Sequence, residues 1–377
     1  MRTFHCILSL ALVVLALIGL GCRSHRDSNI PVGMIIPLTG SAAEFGEHER
    51  NAALLVQAKV REQGGINGRQ LDLQIEDSQG MPRVGVNALH KLLLEHRPVA
   101  LFSELSVVSL AIAPLAEKSR LVMFSIAASP DLTRLNRYAF RNFPAAERQG
   151  REMATHTAHT LRVSKVAIFY VNDDFGLSLR DAFKGQFAPL GGSVLGTEPF
   201  ESSGKDFRSE IAKLISYHPQ AIYIVGYGKP LGIALKQLRE AGFQGFVLGG
   251  LEVSFEDVLT VARNAAEGVI YLDVAFDPGG NDPIAREFVR EYRSAYGKTP
   301  SMVAAMAYDA ISLIADAVRH VGTDPDAMRA YLLQVRSFPG ACGTLAINQN
   351  RDVIQPLVMK QIQNGKPTRW LPTHDSQ

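Results

Sequence analysis

The chain has 377 residues, 46% of them hydrophobic and 20% charged, which is ordinary globular composition with ample core and, by length, about two domains. Lys and Arg number 39 against 37 Asp and Glu, so no basic excess remains to neutralise phosphates, and a nucleic-acid partner is not expected.

The chain opens with Arg2 and then an apolar run over residues 7–21, ILSLALVVLALIGLG, followed by polar RSHRDSN. The run is shorter than the ~20 residues a spanning helix needs, and it has the shape of a secretory signal. Gly19-Leu20-Gly21-Cys22 is similar to a bacterial lipoprotein signal with its leucine one place late. The expectation is export, with residues 1–21 removed, a lipid on Cys22 and a tether over 22–30. An ordinary cleaved signal, or an uncleaved anchor, is the alternative. Cys6 would leave with the signal, and Cys342 would remain a single thiol unable to form an internal disulfide.

Beyond the tether, apolar runs alternate with helical patterns. The first set is strand 31–38, helix 43–63, a glycine-rich turn at 64–70, strand 71–77, helix 82–96, strand 99–103, helix 109–119 and strand 121–125. A second set follows: a short strand and helix over 139–162, then strand 165–171, helix 177–190, strand 192–200, helix 206–217, strand 221–227, helix 230–242 and strand 245–250. The tail reads as helices 282–297, 301–321 and 324–335, then strands 343–348 and 356–365. Such alternation predicts two α/β lobes, each a mostly parallel sheet with helices on both faces. The late helix pair has no parallel strand of its own and is expected to pack back on the first lobe. No period of 20–50 residues recurs, which excludes solenoids.

Two strand ends break a simple core pattern. In MFSIAASPDLT the apolar strand gives way to Ser125, Ala127, Ala128 and Ser129, and VALFSEL gives way to Ser106. Ligands of open α/β sheets bind beyond the carboxyl ends of strands, where helix N-termini offer free N–H groups. Small residues there let a ligand reach backbone and hydroxyl together. The plainer reading of each serine is a helix cap.

The segments VGMIIPLTGSAAEFG, GGINGRQLDLQIEDSQGMP, FSIAASPDLT, YVNDDFG, PSMVAAMAYDAISLIADAV and GTLAINQNRDVIQPLVMKQIQNGK together resemble the leucine/isoleucine/valine-binding family. These are the type I periplasmic solute receptors of ABC transporters, and the resemblance runs in order over nearly all of the chain after residue 30. It implies two lobes joined by three crossings, with the first lobe over 30–145 and 276–352 and the second over 146–275 and 353–372. It also implies an amino acid held in the cleft: its carboxylate by Ser106 and Ser129, its ammonium by the Ala127 carbonyl and Glu252. Phe45, Phe175 and Tyr227 match the family's aromatic walls, and Glu252 stands one place beyond a gap-free match. Because Phe45 and Phe175 lack a hydroxyl, an apolar or aromatic ligand side chain is expected; plain core packing is the alternative for both. The family's usual small disulfide is missing.

Two patterns compete for other functions. Gly226, Gly228 and Gly232 after a strand, with Glu252 beyond, mimic a dinucleotide fingerprint, but the spacing is GxGxxxG and Pro230 crowds the loop. Glu152, His156 and His159 share a helix face but have no fourth ligand nearby, so a solvated surface is the expectation. There is no HExxH, GxSxG or Walker loop. The sequence therefore predicts a monomeric receptor, not an enzyme, with no cofactor or metal, which hands its ligand to an ABC permease. A sensor or envelope regulator on the same fold is the alternative, and a nicotinamide-dependent oxidoreductase a remote one.

Overall fold

The computed structural model describes residues 29–370. The signal segment and Cys22 lie outside the described residues, whereas Asn29 and Ile30, expected in the tether, already belong to strand β1 (Asn29–Ile36). Strands β1, β2 (Gln70–Asp77), β3 (Ala100–Glu104), β4 (Val122–Ile126) and β5 (Ala139–Arg141) form a wholly parallel sheet in the order β2-β1-β3-β4-β5. Helices α1 (Ala43–Glu62), α2 (Pro82–Glu95), α3 (Ser106–Lys118) and α4 (Asp131–Leu135) make the connections. Every residue of β3 and β4 is buried, which is why both read as short continuous apolar runs rather than alternating ones.

The second lobe repeats the plan with helices α5 (Ala146–Thr155), α6 (Asp174–Phe187), α7 (Arg208–Ser216), α8 (Gly228–Glu240) and α9 (Glu256–Ala262). Its strands β6 (Lys165–Val171), β7 (Ser193–Phe200), β8 (Ala221–Val225), β9 (Phe246–Gly249) and β10 (Ile270–Val274) are mutually parallel. The chain then returns to the first lobe through α10 (Pro283–Tyr296), α11 (Met302–Val321) and α12 (Pro325–Leu332). A small antiparallel sheet follows, made of β11 (Phe338–Gly340), β12 (Gly343–Ile347) and β13 (Val353–Ile354). Strands β14 (Leu357–Gln363) and β15 (Lys366–Arg369) close the second sheet as an antiparallel edge, in the order β15-β14-β10-β9-β8-β6-β7.

The late helices do pack on α1: Lys59 meets Glu287 at 2.7 Å, Lys298 meets Glu47 at 2.9 Å, and the Tyr296 hydroxyl donates to the Asn51 carbonyl at 3.0 Å. Three crossings join the lobes, at 142–145, 275–282 and 355–356. They are tied to one another, since the Gln355 amide donates to Asn142 Oδ1 at 2.9 Å and the Ala275 N–H to the Pro356 carbonyl at 2.9 Å. The third crossing falls a few residues after the expected 352/353 boundary because β13 still pairs with β12.

Three further departures have physical causes. Helix α3 starts at Ser106 rather than 109, directly after the strand end. The run expected as one strand to 365 turns back at Asn364 and Gly365, both with positive φ, into a β14–β15 hairpin. Helix α9 and strand β10 are unassigned in the sequence reading: α9 spans seven residues, too few to show a period, and Asp273 interrupts the apolar run of β10.

Candidate functional site

On the first lobe the strand end is shaped by backbone. Leu105, between β3 and α3, has φ of 68°, a conformation a leucine side chain resists, and local strain of this kind costs about 1–3 kcal/mol. That bend places Ser106 at the first turn of α3, whose N-terminus has no side-chain cap. The N–H groups of Ala128 and Ser129 both donate to Ser106 Oγ, at 3.1 and 3.3 Å. With its lone pairs so engaged, the hydroxyl has its proton left to offer. Arg141 fixes the same turn by donating to the carbonyls of Ala128 and Ser129 at 3.2 and 2.9 Å while Asp352 holds it at 2.7 Å. Behind it, Ser103, Ser109 and Ser125 form a buried hydroxyl triangle with sides of 2.6 to 3.0 Å.

The second lobe contributes rings and a carboxyl group. Asp173 caps α6 through the Gly176 N–H at 3.0 Å and accepts the Tyr227 hydroxyl at 2.6 Å. Burial pushes the Asp173 carboxyl above its ordinary range, and the Tyr227 and Gly176 donors oppose that. Glu252 sits in a single 3₁₀ turn after β9 (Leu251–Ser254), 4% exposed, with Oε2 lacking any partner among the described residues. Burial pushes its pKa up to about 8, helped by the charges of Glu104, Asp273 and Asp173. Phe45, from α1, reaches across to this wall, its ring 4.6 Å from Phe255 and 6.3 Å from Tyr227, and Phe175 lies 6.0 Å from Tyr227. Between the walls is a cavity with about 360 Å³ of empty space, part of it open to solvent.

Six residues named from the sequence line this cavity: Phe45, Ser106, Ala127, Phe175, Tyr227 and Glu252. Ser129 does not. Its Oγ accepts the Asp131 N–H at 3.4 Å at the start of α4, and its own N–H supports Ser106, so it holds the turn rather than facing the cavity. Glu104, Phe143, Phe255 and Met302 line the cavity without having been singled out. Glu104 had a visible signal, a charge inside the otherwise apolar VALFSEL run. Phe255 lies in the stretch with no assigned element.

The lobes also touch at the rim. Glu44 of α1 accepts the N–H groups of Glu256 and Asp257 at 3.0 and 2.8 Å, capping α9 from the opposite lobe. Gly228, at φ of 67°, lies so close to the Ser41 carbonyl oxygen that a Cβ would come within 2.4 Å of it. The other two glycines of the dinucleotide-like motif are also packing positions, Gly226 against Phe200 and Gly232 against Val258 and Val261. His156 packs edge-on to Trp370 at 4.5 Å, and among the described residues no group of three or more His, Cys, Asp or Glu side chains is placed to hold a metal ion.

Two hinged α/β lobes closing on a small polar-ended cavity define a solute receptor. The chain belongs to the periplasmic binding protein family, whose model matches residues 29–367, in its type I leucine/isoleucine/valine-binding branch. It is 27% identical over 346 residues to the Leu/Ile/Val-binding protein homolog 3 of Brucella melitensis, covering 90% of this chain and 92% of that one. A leucine-binding protein structure from Thermotoga maritima superposes with a TM-score of 0.84 at 27% identity, covering 91% of this chain and 98% of its own. The same fold recurs in a solute-binding protein of an ABC transporter from Rhodopseudomonas palustris solved with 3,4-dihydroxybenzoic acid. That structure has a TM-score of 0.80 at 21% identity, with 91% and 96% of the two chains covered.

Proposed function

We propose that the protein is an extracytoplasmic receptor that captures an apolar amino acid in the interlobe cavity and delivers it to an ABC permease, without performing chemistry on it. The observation that carries this reading is the cavity's split polarity. An uncapped helix N-terminus with the Ser106 hydroxyl stands on one lobe, a buried unpartnered Glu252 carboxyl on the other, and aromatic rings lie between. A zwitterion matches that layout, because neither of its charged ends can stay unpaired in a closed, dry cleft. The α3 N–H groups and Ser106 would take the carboxylate, Glu252 would take the ammonium, and Phe45, Phe175, Tyr227 and Phe255 would surround the side chain. Ligand would stabilise only the closed form, since the Phe45 contacts and the Glu44 cap need both lobes together.

Calorimetry with the common L-amino acids, 3,4-dihydroxybenzoate and benzoate tests the ligand, and native mass spectrometry of freshly purified protein identifies what it carries. At least one apolar amino acid should bind at micromolar or tighter affinity, and scattering should show a smaller radius of gyration with it bound. Binding of the benzoates alone would overturn the amino-acid reading. Membrane attachment through Cys22 is part of the same proposal: Cys22→Ser should release the protein from membranes or leave its signal uncleaved, and unchanged fractionation and mature mass would refute it.

A further inference from the structure

Glu104 lies at the end of β3, two residues before Ser106, and lines the cavity while only 3% exposed. One of its oxygens, Oε2, has no conventional donor among the described residues, and the Leu105 N–H donates to the carboxyl group. Glu49 of α1, fully buried, meets it carboxyl to carboxyl, and neither Glu49 oxygen has another donor among the described residues. Two ionised carboxylates have nothing to donate to each other, so this contact requires a proton between them. Burial is the main force holding both groups in the acid form; proximity to Glu104 raises Glu49 further, whereas the hydrogen bond from Glu49 pulls Glu104 down.

The surroundings reinforce this. Tyr227 and Glu252 face Glu104 from the second lobe, and Glu252 is acidic. From the first lobe, β4 and α11 bring Ile126, Met302 and Val303, which carry no charge. No Lys, Arg or His among the described residues lines the cavity. If Glu49, Glu104 and Glu252 were all ionised, one ligand ammonium would face three negative charges in a closed space. Glu252 has no carboxyl partner of its own and suits that ammonium. Glu104 instead shares its strand end with the N–H groups and hydroxyl that attract a carboxylate.

We infer that Glu104 receives the ligand as a neutral carboxylic acid, kept in that state by burial and donating its proton in a hydrogen bond to the ligand carboxylate beside Ser106, while Glu49, holding a proton of its own, donates to the other Glu104 oxygen. This rests on the amino-acid reading above and adds a ligand-binding residue and a proton requirement to it. The proton stays on Glu104 throughout, so no group is transferred. A glutamine, which donates from the same place at every pH, should replace Glu104 well.

The test is calorimetry with L-leucine and L-phenylalanine at pH 7.5 and 9.0 on wild type, Glu104→Gln and Glu104→Ala. Wild-type affinity should fall with rising pH, by roughly tenfold per unit once Glu104 begins to lose its proton. Glu104→Gln should bind within a few-fold of wild type at pH 7.5 and vary less with pH, whereas Glu104→Ala should lose at least tenfold. The ligand ammonium and Glu252, which burial raises to about 8, titrate in all three proteins, so the comparison of wild type with Glu104→Gln is what reports on Glu104. If Glu104→Gln fails to fold by circular dichroism, Glu49→Gln serves in its place. Its amide donates to Glu104 as the protonated Glu49 does, so its affinity should fall with rising pH much as wild type does, and a pH-independent affinity in this variant overturns the inference. Loss of binding in a folded Glu104→Gln, or a wild-type affinity unchanged across the range, overturns the inference while leaving the amino-acid reading standing. If no apolar amino acid binds at pH 7.5, both fail together.

Discussion

The two lobes meet the cavity with different materials. The first brings backbone N–H groups, the Ser106 hydroxyl and the Glu49–Glu104 acid pair, all on strand ends and helices locked from behind by the serine triangle and the Arg141–Asp352 pair. The second brings Phe175, Tyr227 and Phe255 with one carboxyl group, carried on helix starts and a single 3₁₀ turn. The first wall is thus organised before any ligand arrives, because its hydrogen bonds close within one lobe. The second becomes complete only when Phe45 crosses to it and Glu44 caps α9. A preorganised polar wall spares the ligand an ordering cost, while a wall assembled on closing couples occupancy to shape.

The sharpest way to break this division is at Glu252, the carboxyl group the second lobe aims at the ligand, which the arriving ammonium would hold ionised. Removing its charge leaves a buried ammonium unpaired, and truncations of that kind cost about 2–5 kcal/mol, or roughly 30- to 4000-fold in affinity. Glu252→Gln should show that loss by calorimetry with the native amino acid and leave thermal stability unchanged or higher, since an unpartnered buried carboxyl is removed. Binding as tight as wild type would move the ammonium elsewhere.

Sequence and structure agree unevenly across the same two walls, for a physical reason. The parallel strands were legible because buried strands are short apolar runs, and Ser106 was legible because it interrupts one. The place of Ser129 was not legible, because its hydroxyl accepts the Asp131 N–H while its own N–H supports Ser106, a choice that spacing does not record. Glu104 was passed over because its significance depends on Glu49, 55 positions earlier and joined to it only by α1 packing on the sheet. Phe255 and α9 lay in segments too short for a periodic signature.

On the first lobe, Ser106→Ala should remove a hydroxyl donor to a charged acceptor and leave the Ala128 and Ser129 N–H groups without their oxygen. Hydrogen bonds to charged groups contribute about 1.5–3 kcal/mol, so affinity should drop roughly 10- to 150-fold. A carboxylate-free ligand such as leucinamide should lose much less than leucine in this variant. Equal losses for both would mean that Ser106 supports the turn without touching the carboxylate.

Closure itself is tested at Gly228. A Cβ would press into the Ser41 carbonyl of the opposite lobe, at a backbone φ that already disfavours alanine. Overpacking of this sort costs about 1–3 kcal/mol, and here it falls largely on the closed form. Gly228→Ala should therefore weaken binding, and scattering should show a partly open protein even with ligand present. Unfolding midpoints of the free protein should shift less than affinity does.

The smallest effect concerns the rim. Burial raises the Glu44 carboxyl to about 7, and the neighbouring Asp257 carboxyl adds to this; the Asp257 N–H and His48 pull the other way. His48 lies 3.9 Å away, and its own burial holds it below its ordinary pKa. When the lobes part, Glu44 returns toward ordinary carboxyl behaviour near 4.5, so the closed form binds this proton more tightly than the open one. Closure is then favoured at low pH, weakens as pH rises between about 4.5 and 7, and levels off above 7. Because the group sits at a solvated rim and the α9 N–H groups stabilise its ionised form, the expected effect is only about 1 kcal/mol, a few-fold in affinity. Wild type should bind its amino acid a few-fold more tightly at pH 5 than at pH 7.5. Glu44→Gln, which cannot titrate, should remove that slope and leave untouched the separate fall above pH 7.5 assigned to Glu104. If both pH responses vanish together in Glu44→Gln, the rim and the acid pair are one titrating unit, and the division between a preorganised wall and a closing wall does not hold.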